Sequence, residues 1–160
     1  MSKRAEALAD RIQQGVDAMV HFVGALSDLE WATNVVNEGR TVGVLMHHVA
    51  ISYQAEVDLA LEIASGKPIT GVTADVVDAI NAQHALAHAL ATKRETIALL
   101  STNGAAAATR VRMCTDEQLD RAATVSLYAD APLTAQFFIE DHALRHSFHH
   151  MANIRAALKR

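Results

Sequence analysis

Apolar residues recur at helical spacing through most of this chain. From Lys3 to about Leu26 they fall at Leu8, Ile12, Val16, Met19, Val20 and Val23, with Ser2 placed to cap the start. Ser27 to Arg40 reads as a loop, interrupted by Asn34, Asn37 and Gly39 and anchored by Trp31. Thr41 then stands as the N-cap of a second helix that runs to about Ala64 and ends at Ser65, Gly66 and Pro68. A shorter pattern follows from Thr73 to about Leu90, with Val76, Val77, Ile80, His84 and His88. Thr92 to Glu95 is a capping-box sequence opening a helix toward Met113, with Asn103-Gly104 as a point where it could bend or break. Thr115 to Gln118 is a second box, ahead of the Ala123 to Pro132 connection, and the last helix runs from Leu133 or Thr134 to Leu158. The pattern predicts an all-α fold: a four-helix up-down bundle with a short extra helix between helices two and three.

Composition agrees with that picture. The 160 residues are 51% hydrophobic, much of it Ala, with two Pro and seven Gly, which favours closely packed helices over sheets. The length suits one domain spanning 1–160. A formal net charge of −4 argues against a nucleic-acid surface, which requires a basic face. No apolar run reaches the roughly 20 residues of a membrane span, and no secretory signal opens the chain, so a cytoplasmic protein is expected. The single Cys114 cannot form an internal disulfide and reads as a small buried hydrophobe.

The histidines change the picture. Four of the nine lie between Asp141 and Arg155, where His142, His146 and His150 recur at i, i+4 and i+8. Side chains at i and i+4 of a helix lie one above the other, so two such imidazoles can grip one metal ion. A wheel with Leu144, Phe148, Met151 and Leu158 facing inward puts His150 on a flank of small residues and His146 at its border, with His142 a weaker third. On the second helix, Leu45, Val49, Ser52, Leu59 and Ile63 define an inward face with His48 near its centre and His47 pointing almost the opposite way. Ser52 and Glu56, one and two turns beyond His48, are placed to support a ligand, and Glu56 also to act as a general base. His21 reads as a packed or interfacial residue, and His84 with His88 permits a second metal site.

Two segments, T-V-G-V-L-M-H-H-V-A at Thr41 to Ala50 and R-H-S-F-H-H-M-A-N-I-R at Arg145 to Arg155, resemble the DinB-like, or YfiT-like, superfamily, also called the DinB/maleylpyruvate-isomerase group. The likeness extends weakly through Val77 to Ala82 and Thr115 to Arg121. It implies a four-helix bundle, often dimeric, that holds a divalent metal with three residues, here His48, His146 and His150. The group includes thiol-dependent transferases, a mycothiol-dependent maleylpyruvate isomerase and many members without an assigned reaction.

Three histidines with open coordination positions suit a catalytic metal, because structural zinc fills its shell with four protein ligands. The expectation is a divalent-metal-dependent enzyme acting on a small molecule. It would be a transferase using a low-molecular-weight thiol as co-substrate, or a hydrolase with Glu56 or His142 as proton acceptor. Zinc and nickel lead as the ion, with iron, manganese and copper as further candidates. The alternative is a non-catalytic metal-binding or stress-response bundle. A di-iron carboxylate site is set aside, since it needs Glu-x-x-His spacing that the chain lacks. A homodimer is expected from the apolar and small residues around the first helix.

Overall fold

A computed structural model describes residues 2–159. Ser2 caps α1, Lys3–Gly24, by accepting the Ala5 amide, one of the donors that a helix start leaves without an intrahelical partner. The expected Ser27 to Arg40 loop is more ordered than its composition suggests. A full capping box between Ser27 and Glu30 opens α2, Asp28–Trp31, and a small antiparallel ladder joins β1, Asn34–Val35, to β2, Arg40–Thr41. The ladder turns back at Gly39, whose φ of 64° favours glycine. Thr41 then caps α3, Val42–Ala64, through the Val44 amide. Trp31 anchors the segment as expected, donating its indole N–H to the Ala91 carbonyl at 2.9 Å. Its ring also lies so near α3 that a Cβ on Gly43 would sit 2.7 Å from it.

The short extra helix is α4, Ala74–Ala87, capped by Thr73, and it is followed by α5, Lys93–Arg112, capped by Thr92. The Thr115–Gln118 box opens α6, Asp116–Asp120. Where only a connection was expected, β3, Ala122–Val125, pairs with β4, Ala131–Thr134, so that Ala122 faces Thr134. Ile69 joins the edge of this hairpin through the Thr124 carbonyl and the Ser126 amide, which fixes the chain between α3 and α4. Thr134 starts the last helical run: α7, Ala135–Phe138, a π-helical segment over Ile139–Arg145, and α8, His146–Leu158.

The architecture is a four-helix bundle in which α5 packs along both α1 and α3, and the last run packs across both from another side. Leu8, Ile12, Val16 and Met19 of α1 meet Leu45, Met46, Val49 and Val57 of α3, Leu100 and Val111 of α5, and Met151 and Ile154 of α8 in the core. Asn103-Gly104 does not break α5. At Gly104 α5 approaches α1 so tightly that a Cβ there would overlap Val16, and Asn103 is bonded to the Ala50 carbonyl and Gln54 of α3.

The last helix is turned from the sequence wheel. Ala143, Ser147, His150, Met151 and Ile154 are buried, whereas Phe148 is 43% exposed. Small side chains let α8 approach α3, where Ser147 meets the Tyr53 hydroxyl at 2.6 Å, and this displaces the bulky Phe148 to the rim. His21 is exposed rather than packed. Cys114 is buried, and burial raises its thiol pKa, as a structural cysteine requires. Among the described residues no helix is long and apolar enough to cross a membrane.

Candidate metal centre

The bundle brings His48 of α3 together with His146 and His150 of α8. The Nε2 atoms of His48 and His146 lie 3.3 Å apart, and those of His146 and His150 lie 2.9 Å apart. Tetrahedral bonds of about 2.0–2.1 Å place two nitrogens on one zinc ion about 3.3 Å apart. The rings stand at steep angles to one another, 83° for His48 with His146 and 67° for His146 with His150, so their nitrogens converge instead of stacking.

Carboxylates sit behind two of the rings. His146 Nδ1 lies 2.6 Å from Glu56 Oε1, and His150 Nδ1 lies 3.1 Å from Glu38 Oε1. A carboxylate at such a distance calls for a proton on Nδ1, which leaves each Nε2 with a bare lone pair. Two bare lone pairs facing one another at 2.9 Å repel unless a cation lies between them, so the donor set fits a metal ion. Buried, carboxylate-backed imidazoles are also the usual support of metal-binding histidines.

Charge and burial keep His48 and His150 neutral. Burial, then His146 and Arg40, push the His48 pKa down to about 2. Burial, then His146, hold His150 at about 4. Burial opposes the ionisation of Glu38, but its hydrogen bond from Asn153 and the nearby His150 and Arg40 outweigh that and leave its pKa lowered.

Glu38, Arg40 and Asn153 carried no sequence signal. Glu38 belongs to no apolar period and reaches His150 only because the β1–β2 ladder folds back against α8. Glu56 takes the supporting position expected of it. Ser52 does not, since its hydroxyl donates to the His48 carbonyl at 2.9 Å, the ordinary backbone bond of a serine within a helix.

The triad forms one side of a cavity of about 440 Å³. Leu59, Ile69, Val77, Leu127 and Phe138 give it apolar walls, with Glu56, His142 and Arg145 among its polar groups. His142 stacks on Phe138 with ring centroids 4.1 Å apart and meets the Tyr128 hydroxyl at 3.0 Å. That hydroxyl donates to Asp141, so it accepts from His142 Nε2–H and leaves Nδ1 as the basic nitrogen. Burial lowers the His142 pKa, against the opposing pull of Glu56 and Asp141. His142 therefore stands in the cavity wall, outside the converging triad.

His47 corrects the wheel. It does not point to water but is 2% exposed, with its Nδ1 2.9 Å from Nε2 of His84. His88 stacks on it with centroids 4.1 Å apart, so the described residues hold a second cluster of three histidines. The wheel could not anticipate this, because the cover over His47 comes from α4, a separate helix.

No protein-family model matches the chain, and no curated protein matches it significantly. Among solved structures it is similar to YfiT from Bacillus subtilis, described as a probable metal-dependent hydrolase with an unusual four-helix bundle topology. The two superpose with a TM-score of 0.77 and 18% sequence identity over 99% of this chain and 89% of that one. At this identity the likeness is one of fold. The chain has the four-helix-bundle fold of that structure.

Proposed function

We propose that this chain is a divalent-metal-dependent hydrolase in which His48, His146 and His150 hold the ion. The observation that carries the reading is the convergence of three Nε2 atoms, two backed by carboxylates, on the wall of an apolar cavity. A divalent ion bound there would supply Lewis-acid activation of a water molecule and polarise a scissile carbonyl. Glu56 and Glu38 hold His146 and His150 in the ligating tautomer. His142, fixed by Tyr128 and Asp141, presents Nδ1 as a proton acceptor, and Glu56 lies near enough to both His142 and His146 to share that task. The apolar walls exclude water from the body of the substrate and favour one with an aliphatic or aromatic group beside its reacting carbonyl. The description of YfiT as a probable metal-dependent hydrolase supports the choice of reaction.

The same centre would bind a low-molecular-weight thiol as thiolate, the transferase form of this reading. One experiment separates the forms: chelator-treated protein reloaded with zinc or nickel is assayed on a panel of esters and amides, with and without added thiol. Hydrolysis that returns with metal and is lost in His150→Ala supports the hydrolase. Turnover that requires thiol supports the transferase. Metal binding without turnover in either assay would leave a non-catalytic bundle.

A further inference from the structure

Helix α4 is held to the bundle in a singular way. Its one buried side chain is His84, while Val76, Ile80 and Leu86 are 41%, 60% and 83% exposed. Yet Val76, Val77, Ile80 and Asn81 of this helix line the cavity beside the first triad. A cavity wall with so little apolar burial needs another fastening, and His84 and His88 lie against His47 of α3 there.

We propose that His47, His84 and His88 form a second metal site, for a divalent ion that favours imidazole such as zinc, nickel or copper, which clasps α4 onto α3. Nothing in the first site requires it, since the two triads share no residue. The three candidate ligand nitrogens lie within 4.8 Å of one another. The His47 and His84 pair, at 2.9 Å, is already close to the separation of about 3.3 Å set by one zinc ion, so closing the third onto the same ion takes a movement of at most about 1.5 Å. His88 can make that movement, because it is half-buried at the C-cap of α4, one helical turn beyond His84.

An N–H···N hydrogen bond would account for His47 and His84 alone and gives no role to His88, whose ring stacks on that of His47. The rings now lie within 23–31° of parallel and must turn for their lone pairs to meet. Among the described residues no carboxylate lies within hydrogen-bond distance of these rings, so the site is weaker than the first by about 10–100-fold, the range by which such supports change metal affinity.

The test is a zinc titration against a chromophoric chelator, with bound metal counted, on wild type, His88→Ala and His146→Ala. Amide hydrogen exchange over 74–87 is followed at the same time. Wild type is expected to bind two ions in a tight and a weak class. His88→Ala, at a half-buried helix end where loss of the ring leaves the core intact, keeps only the tight class, and His146→Ala keeps only the weak one. Filling the weak class slows exchange across α4 in wild type and His146→Ala, but not in His88→Ala. One ion in wild type, retained by His88→Ala and lost from His146→Ala, would overturn the second site and leave the first. The reverse pattern would uphold the second site and remove the first.

Discussion

Helix α3 presents adjacent histidines to two neighbours, and the two triads they join differ in everything except residue type. His48 meets α8 in a nest where rings stand steeply to one another and carboxylates hold the far nitrogens of His146 and His150. His47 meets α4 in a near-parallel stack with no such support. The first lies beside an apolar cavity within the bundle, the second at the seam of a mostly exposed helix. A metal centre is therefore set by what stands behind its ligands and how the rings are aimed, not by the number of histidines that gather.

Acid is the broadest way to probe the pair, because it acts on both. An unfolded histidine takes up its proton near pH 6.5, whereas folded His48 does so near 2, and His150 and His84 near 4. Below pH 6.5 the unfolded chain binds more protons, so stability of the metal-free protein is full above that value and falls as pH drops toward 4. His48 and His150 each contribute a slope on the order of 1.4 kcal/mol per pH unit in that window. Glu38 and Asp141, whose pKa values are lowered, add loss of the same sign at lower pH. Urea melts from pH 7 to 5 should show the fall, and a flat profile would mean that these rings are not held neutral.

Substitutions then separate the triads. His150→Ala should weaken the tight class by more than about 100-fold, since even loss of a supporting carboxylate costs about 10–100-fold, and should leave the weak class unchanged. Glu38→Gln should lie in that lower range, because it withdraws the charge facing His150 while keeping the side-chain size. Equal weakening of both classes by either variant, measured by competition titration, would show that the two clusters act as one. The smallest effect is expected from Tyr53→Phe, which removes the bond between α3 and Ser147 of α8. It should lower stability by about 1–3 kcal/mol and shift the tight class only a few-fold, since it loosens the spacing of His48 from His146 without touching a ligand.

The helical runs expected from the sequence were legible because they start at side-chain caps, at Ser2, Thr41, Thr73, Thr92, Thr115 and Thr134, and carry apolar residues at helical spacing. The metal-ligand candidates were legible because i, i+4 spacing is a local property of one helix. Four things were not. The two hairpins are made of short polar and Ala-rich segments whose pairing depends on the bundle ends they cap. The inward face of the last helix was drawn through its largest apolar residues, whereas close approach to Tyr53 selects its smallest. The π-helical turn over Ile139–Arg145 also lies outside any wheel of constant angle, and it sets the phase between His142 and His146. The roles of Glu38 and His47 depend on contacts between elements distant in sequence, which no single-helix pattern contains.

X-ray absorption at the zinc edge, on protein loaded with one equivalent of zinc, tests the three-histidine centre most directly. The account predicts three imidazole nitrogens at about 2.0–2.1 Å, at least one exchangeable oxygen ligand, and loss of the imidazole scattering in His150→Ala. A spectrum of fully hydrated zinc, or an imidazole signal that His150→Ala leaves unchanged while His88→Ala removes it, would contradict it.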